Sequence, residues 1–358
     1  MPVSNITLNN FRCFSRLELN LSPRVNFFYG KNGSGKTSIL EAIYMCSSGK
    51  SFKSSNIAAL VKQSSGGFKI NSYDNLTGHV LDLKKELNKS IEIMVNNKKI
   101  PISELIRQRP ATAIHNQTFS FADASPDFRR KLMDRAIFVS DKEFSQIWFS
   151  FYRCLKQRNA LLKQNSSQTN AWDERLITFG DKLTSIRENF HLNTLKELSY
   201  LINKINTKEQ VDYLNNIEIS FRKGWDDKSK LEDIINDNKP IDLLRRTTTK
   251  GPHKADIKFS INNIDAKQIL SRGEQKLFSI LWCCAQHRVL KNTHKLEPVL
   301  IIDDIKSELD KTLMSVFINM LEHIENQVIF SCIDDEFSSK INTKFEDFKK
   351  FHVEQLHQ

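Results

Sequence analysis

The run Gly30-Lys31-Asn32-Gly33-Ser34-Gly35-Lys36-Thr37, followed by Ser38, is spaced to hold phosphate. Gly30, Gly33 and Gly35 let a backbone wrap closely around an anion with its amides pointing inward. Lys36 places a cation on the outer phosphates and Thr37 offers a hydroxyl to Mg²⁺. Asp303 and Asp304 directly follow the apolar run Val299 to Ile302. A carboxylate at the end of a buried strand is costly unless it meets a cation. Asp303 is therefore expected to reach Mg²⁺, directly or through water, and Asp304 to orient or deprotonate an attacking water. The two groups together point to ATP and Mg²⁺ as the ligands.

A third group adds a helix start. Leu270-Ser271-Arg272-Gly273-Glu274-Gln275 precedes the apolar positions Leu277, Ile280, Leu281 and Cys284. Ser271 reads as the N-cap of that helix, leaving free amides after it. Such an end, with Ser271 and Gly273 exposed, can take the γ-phosphate of a nucleotide held by another subunit. Its place shortly before an acidic strand separates ABC-type ATPases from other phosphate-loop proteins.

The elements that must position these groups are legible around them. Val25 to Tyr29 is a short apolar run ending at Gly30, and Ile39 to Cys46 reads as a buried helix, giving the strand, loop and helix order that phosphate binding requires. Leu17, Leu19 and Leu21 alternate with polar residues as in a half-buried strand, and residues 51–104 read as further short strands. Leu176, Phe179, Leu183, Ile186 and Phe190 form one apolar helical stripe, and Asn165 to Asn170 reads as a connection between two helices. Val299 to Ile302 and Val328 to Phe330 are buried strands, the latter meeting Ser331. The expected fold class is α/β: residues 1–125 and 241–358 form a head, and residues 126–240 an inserted, compact helical arm folded on itself.

Composition bounds the partners. The chain has 358 residues, enough for about two domains. Lys plus Arg number 53 against 42 Asp plus Glu, a net charge of +11 that favours a polyanionic partner such as nucleic acid or an acidic surface. Arg129, Arg130 and Lys131 form one basic cluster, and Arg245, Arg246, Lys250 and Lys254 another; either could touch DNA phosphates or be a solvated face. Cys46, Cys283, Cys284 and Cys332 lie in apolar stretches and read as buried thiols in a reducing cytosol. No apolar run approaches the roughly 20 residues that span a bilayer, so a cytoplasmic protein without a membrane role of its own is expected.

Beyond these motifs the chain resembles the RecF family of bacterial DNA-repair ATPases over almost its whole length. The resemblance rests on Leu8 to Arg12, Gly30 to Tyr44, Ser51-Phe52-Lys53, Leu155 to Asn159, Gly251 to Asp256 and Ile302 to Asp310. It implies an ABC-ATPase head related to the SMC and Rad50 heads. It also implies an ATP-dependent homodimer on double-stranded or gapped DNA, acting in gap repair with RecO and RecR to help RecA replace single-strand-binding protein. By the same resemblance Arg12 joins the nucleotide-binding residues, and Gln117 stands where ABC ATPases place a Mg²⁺-sensing glutamine.

Departures are visible. Asn116-Gln117 replaces a common Pro-Glu, Glu274 a common Gln, and Lys306 a small residue; Ser331 stands where many ABC ATPases have histidine. With Asp at 304 and no histidine, slow hydrolysis is expected, with ATP acting as a clamp signal. Two other readings stay open at this point: the ATPase subunit of a membrane transporter, and a nucleotide-gated scaffold that does not hydrolyse ATP.

Overall fold

Alternation of buried and exposed residues builds the first sheet. In the computed structural model, which describes residues 2–166, 168–206, 211–307 and 309–357, Leu17 and Leu19 point inward from β2 (Phe14–Asn20), antiparallel to β1 (Asn5–Phe11). Four further strands complete it: β4 (Gly67–Tyr73), β5 (Val80–Glu86), β6 (Glu92–Val95) and β7 (Lys98–Lys99), in the order β2-β1-β4-β5-β6-β7. Glu308 of the acidic-strand motif lies outside the described residues.

A second sheet is parallel throughout. Its strands are β3 (Val25–Tyr29), β8 (Ala111–Ile114), β12 (Val299–Ile302), β13 (Val328–Cys332) and β14 (Phe348–His352), in the order β14-β3-β13-β12-β8. Strands β12 and β13 are buried along their whole length, as expected for a parallel sheet covered on both faces. Helix α1 (Lys36–Ser48) starts from the loop after β3. Its Ile39, Leu40, Ile43 and Met45 share one core with Leu8, Ile70 and Leu83 of the antiparallel sheet and with Phe28, Ile301 and Ile329 of the parallel one. Helix α10 (Arg272–Asn292) buries Leu277, Phe278, Ile280, Leu281, Trp282 and both Cys283 and Cys284. The four thiols expected inside are buried, Cys154 joins them, and Cys13 is exposed.

The chain divides into two compact units. One comprises Met1–Ser120, Leu201–Gln210 and Arg272–Gln358; the other Phe121–Tyr200 and Val211–Ser271. The second unit contains α4 (Pro126–Ser140), α5 (Phe144–Lys163), most of α6 (Asn170–Asn206), α7 (Leu231–Asp237) and α8 (Lys239–Arg245). Ser125 caps α4 by accepting the Phe128 N–H, with Pro126 in the first turn. Helix α5 ends at Lys163 in a turn at Gln164-Asn165 and α6 starts at Asn170, so the polar stretch predicted as a connection falls between two helices.

The grouping corrects the expected boundary at 240/241, which falls instead at Ser271/Arg272. The reason is a small antiparallel sheet that sequence periodicity did not announce. Strand β10 (Asp256–Ile261) pairs with β9 (Glu218–Arg222) on one side and β11 (Ile264–Asp265) on the other. Buried ion pairs reinforce it: Arg129 forks onto Asp256 at 2.8 and 3.0 Å, Arg158 meets Asp173 and Asp242 at 2.6 Å each, and Arg187 meets Asp134 at 2.7 Å. Breaking such a pair on one side leaves a buried charge, which costs about 3–5 kcal/mol.

These pairs also correct the first basic cluster. Arg129 is buried on Asp256 and Arg130 donates to the Ala255 carbonyl at 2.6 Å, so neither is a free surface cation. Lys131 is exposed and paired with Asp127. Arg245, Arg246, Lys250 and Lys254 are exposed.

Buried imidazoles give the fold an acid limit. Burial lowers His191 and His253 to about 4 and His287 to about 3. A histidine depressed in the fold stabilises it above the unfolded value near 6.5, and that contribution is lost as pH falls through the folded value, at about 1.4 kcal/mol per unit of depression. Thermal melts should therefore show the midpoint dropping steadily between about pH 6.5 and 4. A flat midpoint over that window would show that these rings take up protons as readily in the native state as in the unfolded chain.

Candidate functional site

The parallel sheet brings the chemistry to one edge. The C-terminal ends of β3, β13, β12 and β8 lie side by side, with Tyr29 level with Cys332, Phe330 with Ile302, and Ile302 with Ile114. The residue following each strand, or its last hydroxyl, therefore emerges beside its neighbours. This is the crevice in which open α/β sheets bind ligands.

The loop from Gly30 to Gly35 leaves β3 with positive φ at Gly30, Gly33 and Gly35. A side chain at Gly35 would also collide with Phe14 and Cys13, its Cβ lying 2.7 Å from the Phe14 ring. Lys36 is buried and its ammonium donates to the Gly30 carbonyl at 2.6 Å and the Lys31 carbonyl at 2.9 Å. Asn32, Gly33, Gly35, Lys36, Thr37 and Ser38 line a cavity of about 330 Å³ together with Arg12, Cys13, Lys53 and Asp304. Gly30, Lys31 and Ser34 complete the loop; Gly30 and Ser34 are buried and Lys31 is exposed.

The acidic pair meets this loop. Thr37 donates its hydroxyl to Asp303, lying 3.1 and 2.9 Å from the two carboxylate oxygens, and Ser331 donates to Asp303 Oδ1 at 2.9 Å. Burial pushes the Asp303 carboxyl above its ordinary value against the pull of the Ser331 and Thr37 hydroxyls. Asp304 sits at φ +53°, its N–H donates to Ser331 Oγ at 2.8 Å, and its carbonyl accepts from Ser307 at 2.9 Å. Its Oδ1 is buried with no hydrogen-bond partner among the described residues. A hydroxyl against a desolvated carboxylate, beside an orphaned carboxylate oxygen, is a donor set that fits Mg²⁺ with retained waters.

Gln117 belongs to the same crevice. It lies in the short helix α3 (Asn116–Phe119) after β8 and lines a cavity of about 430 Å³ with Thr37, Lys53, His115, Asp303 and Asp304. That cavity and the first share Thr37, Lys53 and Asp304, so they form one cleft. Arg12 faces the cleft but is held from behind: its guanidinium forks onto the buried Glu41 at 2.9 and 3.0 Å, and Ser51 donates to the same carboxylate.

Ser271 stands exposed at the N-cap position of α10, and Gly273 lies in its first turn. A Cβ at Gly273 would approach Leu313 to 2.9 Å.

Two residues of the crevice escaped the sequence reading of the site, and a third was read only for what it replaces. Lys53 lines both parts of the cleft and its charge lowers Asp303; its only signal was the Ser51-Phe52-Lys53 resemblance. Ser331, read as standing in a histidine's place, orients both aspartates. His115 stacks on Phe52 with ring centroids 5.3 Å apart and is held down to about 4 by burial.

Comparison with known proteins gives the family and the fold. The family model described as the RecF/RecN/SMC N-terminal domain matches residues 2–353. The DNA replication and repair protein RecF of Shewanella denitrificans (strain OS217) is 32% identical over 367 residues, covering 99% of this chain and 98% of that protein. A solved structure of the recombination mediator protein RecF with ATP, in the RecFOR pathway, superposes with a TM-score of 0.76 at 24% identity, over 94% of this chain and 92% of that one. An Smc head bound to the C-terminal winged-helix domain of ScpA aligns at a TM-score of 0.56 and 14% identity, over 98% and 94% of the two chains. These two likenesses are ones of fold, and the fold is that of an ABC-ATPase head. With a family model spanning nearly the entire chain and a full-length relative at almost one-third identity, the chain belongs to the RecF family.

Proposed function

We propose that this chain is a slow, ATP-dependent DNA-binding protein of recombinational gap repair, dimerising around Mg-ATP in the cytosol. The observation that carries the reading is the hydrogen bond from Thr37 to Asp303, which joins the phosphate loop to the acidic strand. Membership of the RecF family sets the transporter reading aside.

In this reading the loop amides and Lys36 hold the phosphates of ATP, and Arg12 and Lys53 add positive charge at the cleft wall. Thr37 and Asp303 would hold Mg²⁺, with Gln117 at its side; the ion supplies charge neutralisation at the phosphates. Asp304 takes a proton from the attacking water at Oδ1, which has no hydrogen-bond partner among the described residues. Ser271 and Gly273 present their helix start to the nucleotide of a second copy. The relatives' name and the recombination-mediator structure support RecR and RecO as partners, with double-stranded or gapped DNA as the substrate surface.

DNA contact is assigned to Arg245, Arg246, Lys250 and Lys254, which are exposed in the second unit. Phosphate contacts release counterions, so affinity should fall steeply with salt, by a log–log slope of about −0.9 per contact, and vary little with sequence. Sedimentation with and without Mg-ATP and duplex DNA, over a salt series, tests the whole reading. The expected result is a dimer only with Mg-ATP and DNA binding that weakens with salt; Arg245→Ala or Arg246→Ala should each reduce the slope by about one. A monomer with bound Mg-ATP, or strong sequence preference, sinks it.

A further inference from the structure

The phosphate loop is held from behind by the far end of the chain. Strand β14 runs parallel to β3, with His352 level with Tyr29. Phe351 stacks on Phe28 at 4.7 Å and His352 on Tyr29 at 4.8 Å. The chain then turns back at Val353, which is fully buried in the core, and Leu356 packs against the same core. Glu354 is thereby fixed between two anchored neighbours, and its Oε1 accepts the Lys31 N–H at 2.7 Å. Its other oxygen lies 2.9 Å from His352 Nε2. The Lys31 N–H holds the Glu354 carboxyl below its ordinary value.

The peptide that Glu354 grips has two ends. The Lys31 N–H and the Gly30 carbonyl belong to the same planar unit and point in opposite directions. The N–H end meets Glu354, and the carbonyl end accepts from the Lys36 ammonium at 2.6 Å. On the other side, the Gly30 N–H donates to the Ile333 carbonyl at 3.2 Å. Gly30 has φ +150°, and a Cβ there would lie 2.3 Å from Glu354 Oε2, so the glycine is also what lets the carboxylate approach.

We propose that Glu354 is a positioning residue for the phosphate-binding loop: by holding the Lys31 N–H it turns the Gly30–Lys31 peptide so that its carbonyl sets the Lys36 ammonium. Glu354 touches neither phosphate nor the reacting atoms; it acts through one peptide on Lys36. This rests on the ATP-binding reading of the cleft.

The test compares Mg-ATP affinity and thermal midpoint for wild type, Glu354→Met, Glu354→Gln and Glu346→Ala. Methionine keeps the length and removes the acceptor; glutamine keeps an acceptor oxygen without the charge. Glu346→Ala removes the same charge from an exposed position on the same terminal segment. The expected result is a Kd for Mg-ATP weakened about tenfold in Glu354→Met, as for loss of a charge-assisted hydrogen bond. Glu354→Gln should recover most of that loss, and Glu346→Ala should match wild type, with all midpoints close together. If glutamine binds as weakly as methionine, the carboxylate acts by charge and the peptide account is wrong. Wild-type binding in Glu354→Met overturns the inference alone. A wild-type protein that binds no Mg-ATP overturns the reading of the cleft and the inference with it.

Discussion

Asp304→Asn should bind Mg-ATP as tightly as wild type and hydrolyse it at least about 100-fold more slowly, the low end of what a positioned general base contributes. The two aspartates are built for different work. Asp303 is occupied, accepting from Thr37 and Ser331 in a desolvated pocket, which suits holding an ion. Asp304 is aimed by its backbone: its N–H is fixed on Ser331 and its carbonyl on Ser307, leaving Oδ1 buried without a hydrogen-bond partner among the described residues. Asparagine keeps that shape and loses the capacity to take a proton. Single-turnover phosphate release alongside equilibrium nucleotide binding separates the two effects. Hydrolysis at the wild-type rate would remove Asp304 from the role of base and return the chain to a gated scaffold or to a base elsewhere in the cleft.

The parts of the site that were legible in the sequence are those made of local pattern. The glycines at 30, 33 and 35 adopt the positive φ that their type permits, and the apolar run at 299–302 is a fully buried strand delivering Asp303 to the loop. The stripe at Leu176, Leu183 and Phe190 is buried along one helix, as its spacing required. What stayed hidden depends on partners far away in the chain. Arg129 looked like a surface cation because nothing near it in sequence announces Asp256, 127 residues on. The boundary at 271 was missed because β10 completes a sheet with β9, and pairing of that kind has no local signature. Glu354 meets the loop across 323 residues, and nothing near it in sequence announces that partner. Ser331 was noticed for what it replaces, while its geometry shows what it does: one hydroxyl aligns both aspartates.

Mixing two inactive variants should restore activity. In the dimer proposed above, Lys36 and Ser271 act on the same ATP from different copies. Lys36→Ala removes the loop's buried cation, a charge-assisted contact worth on the order of 2 kcal/mol or more. Ser271→Arg places a bulky side chain at the exposed start of α10, where the positive end of the helix would face the partner's γ-phosphate. Each variant alone forms dimers with two damaged sites and should be nearly inactive. Two-fold symmetry makes each surface meet its own copy reversed. A mixed dimer therefore collects both lesions in one site and leaves the other intact. Random mixing of equal amounts makes about half of all dimers mixed, each with one sound site, so activity should recover to about a quarter of wild type if the sites work independently. Coupled closure at both sites would lower that figure, so nucleotide trapped per dimer is measured with turnover. Mixed dimers that trap one ATP and still show no hydrolysis would mean that the two lesions do not share a site, and Ser271 would lose its role in completing the partner's.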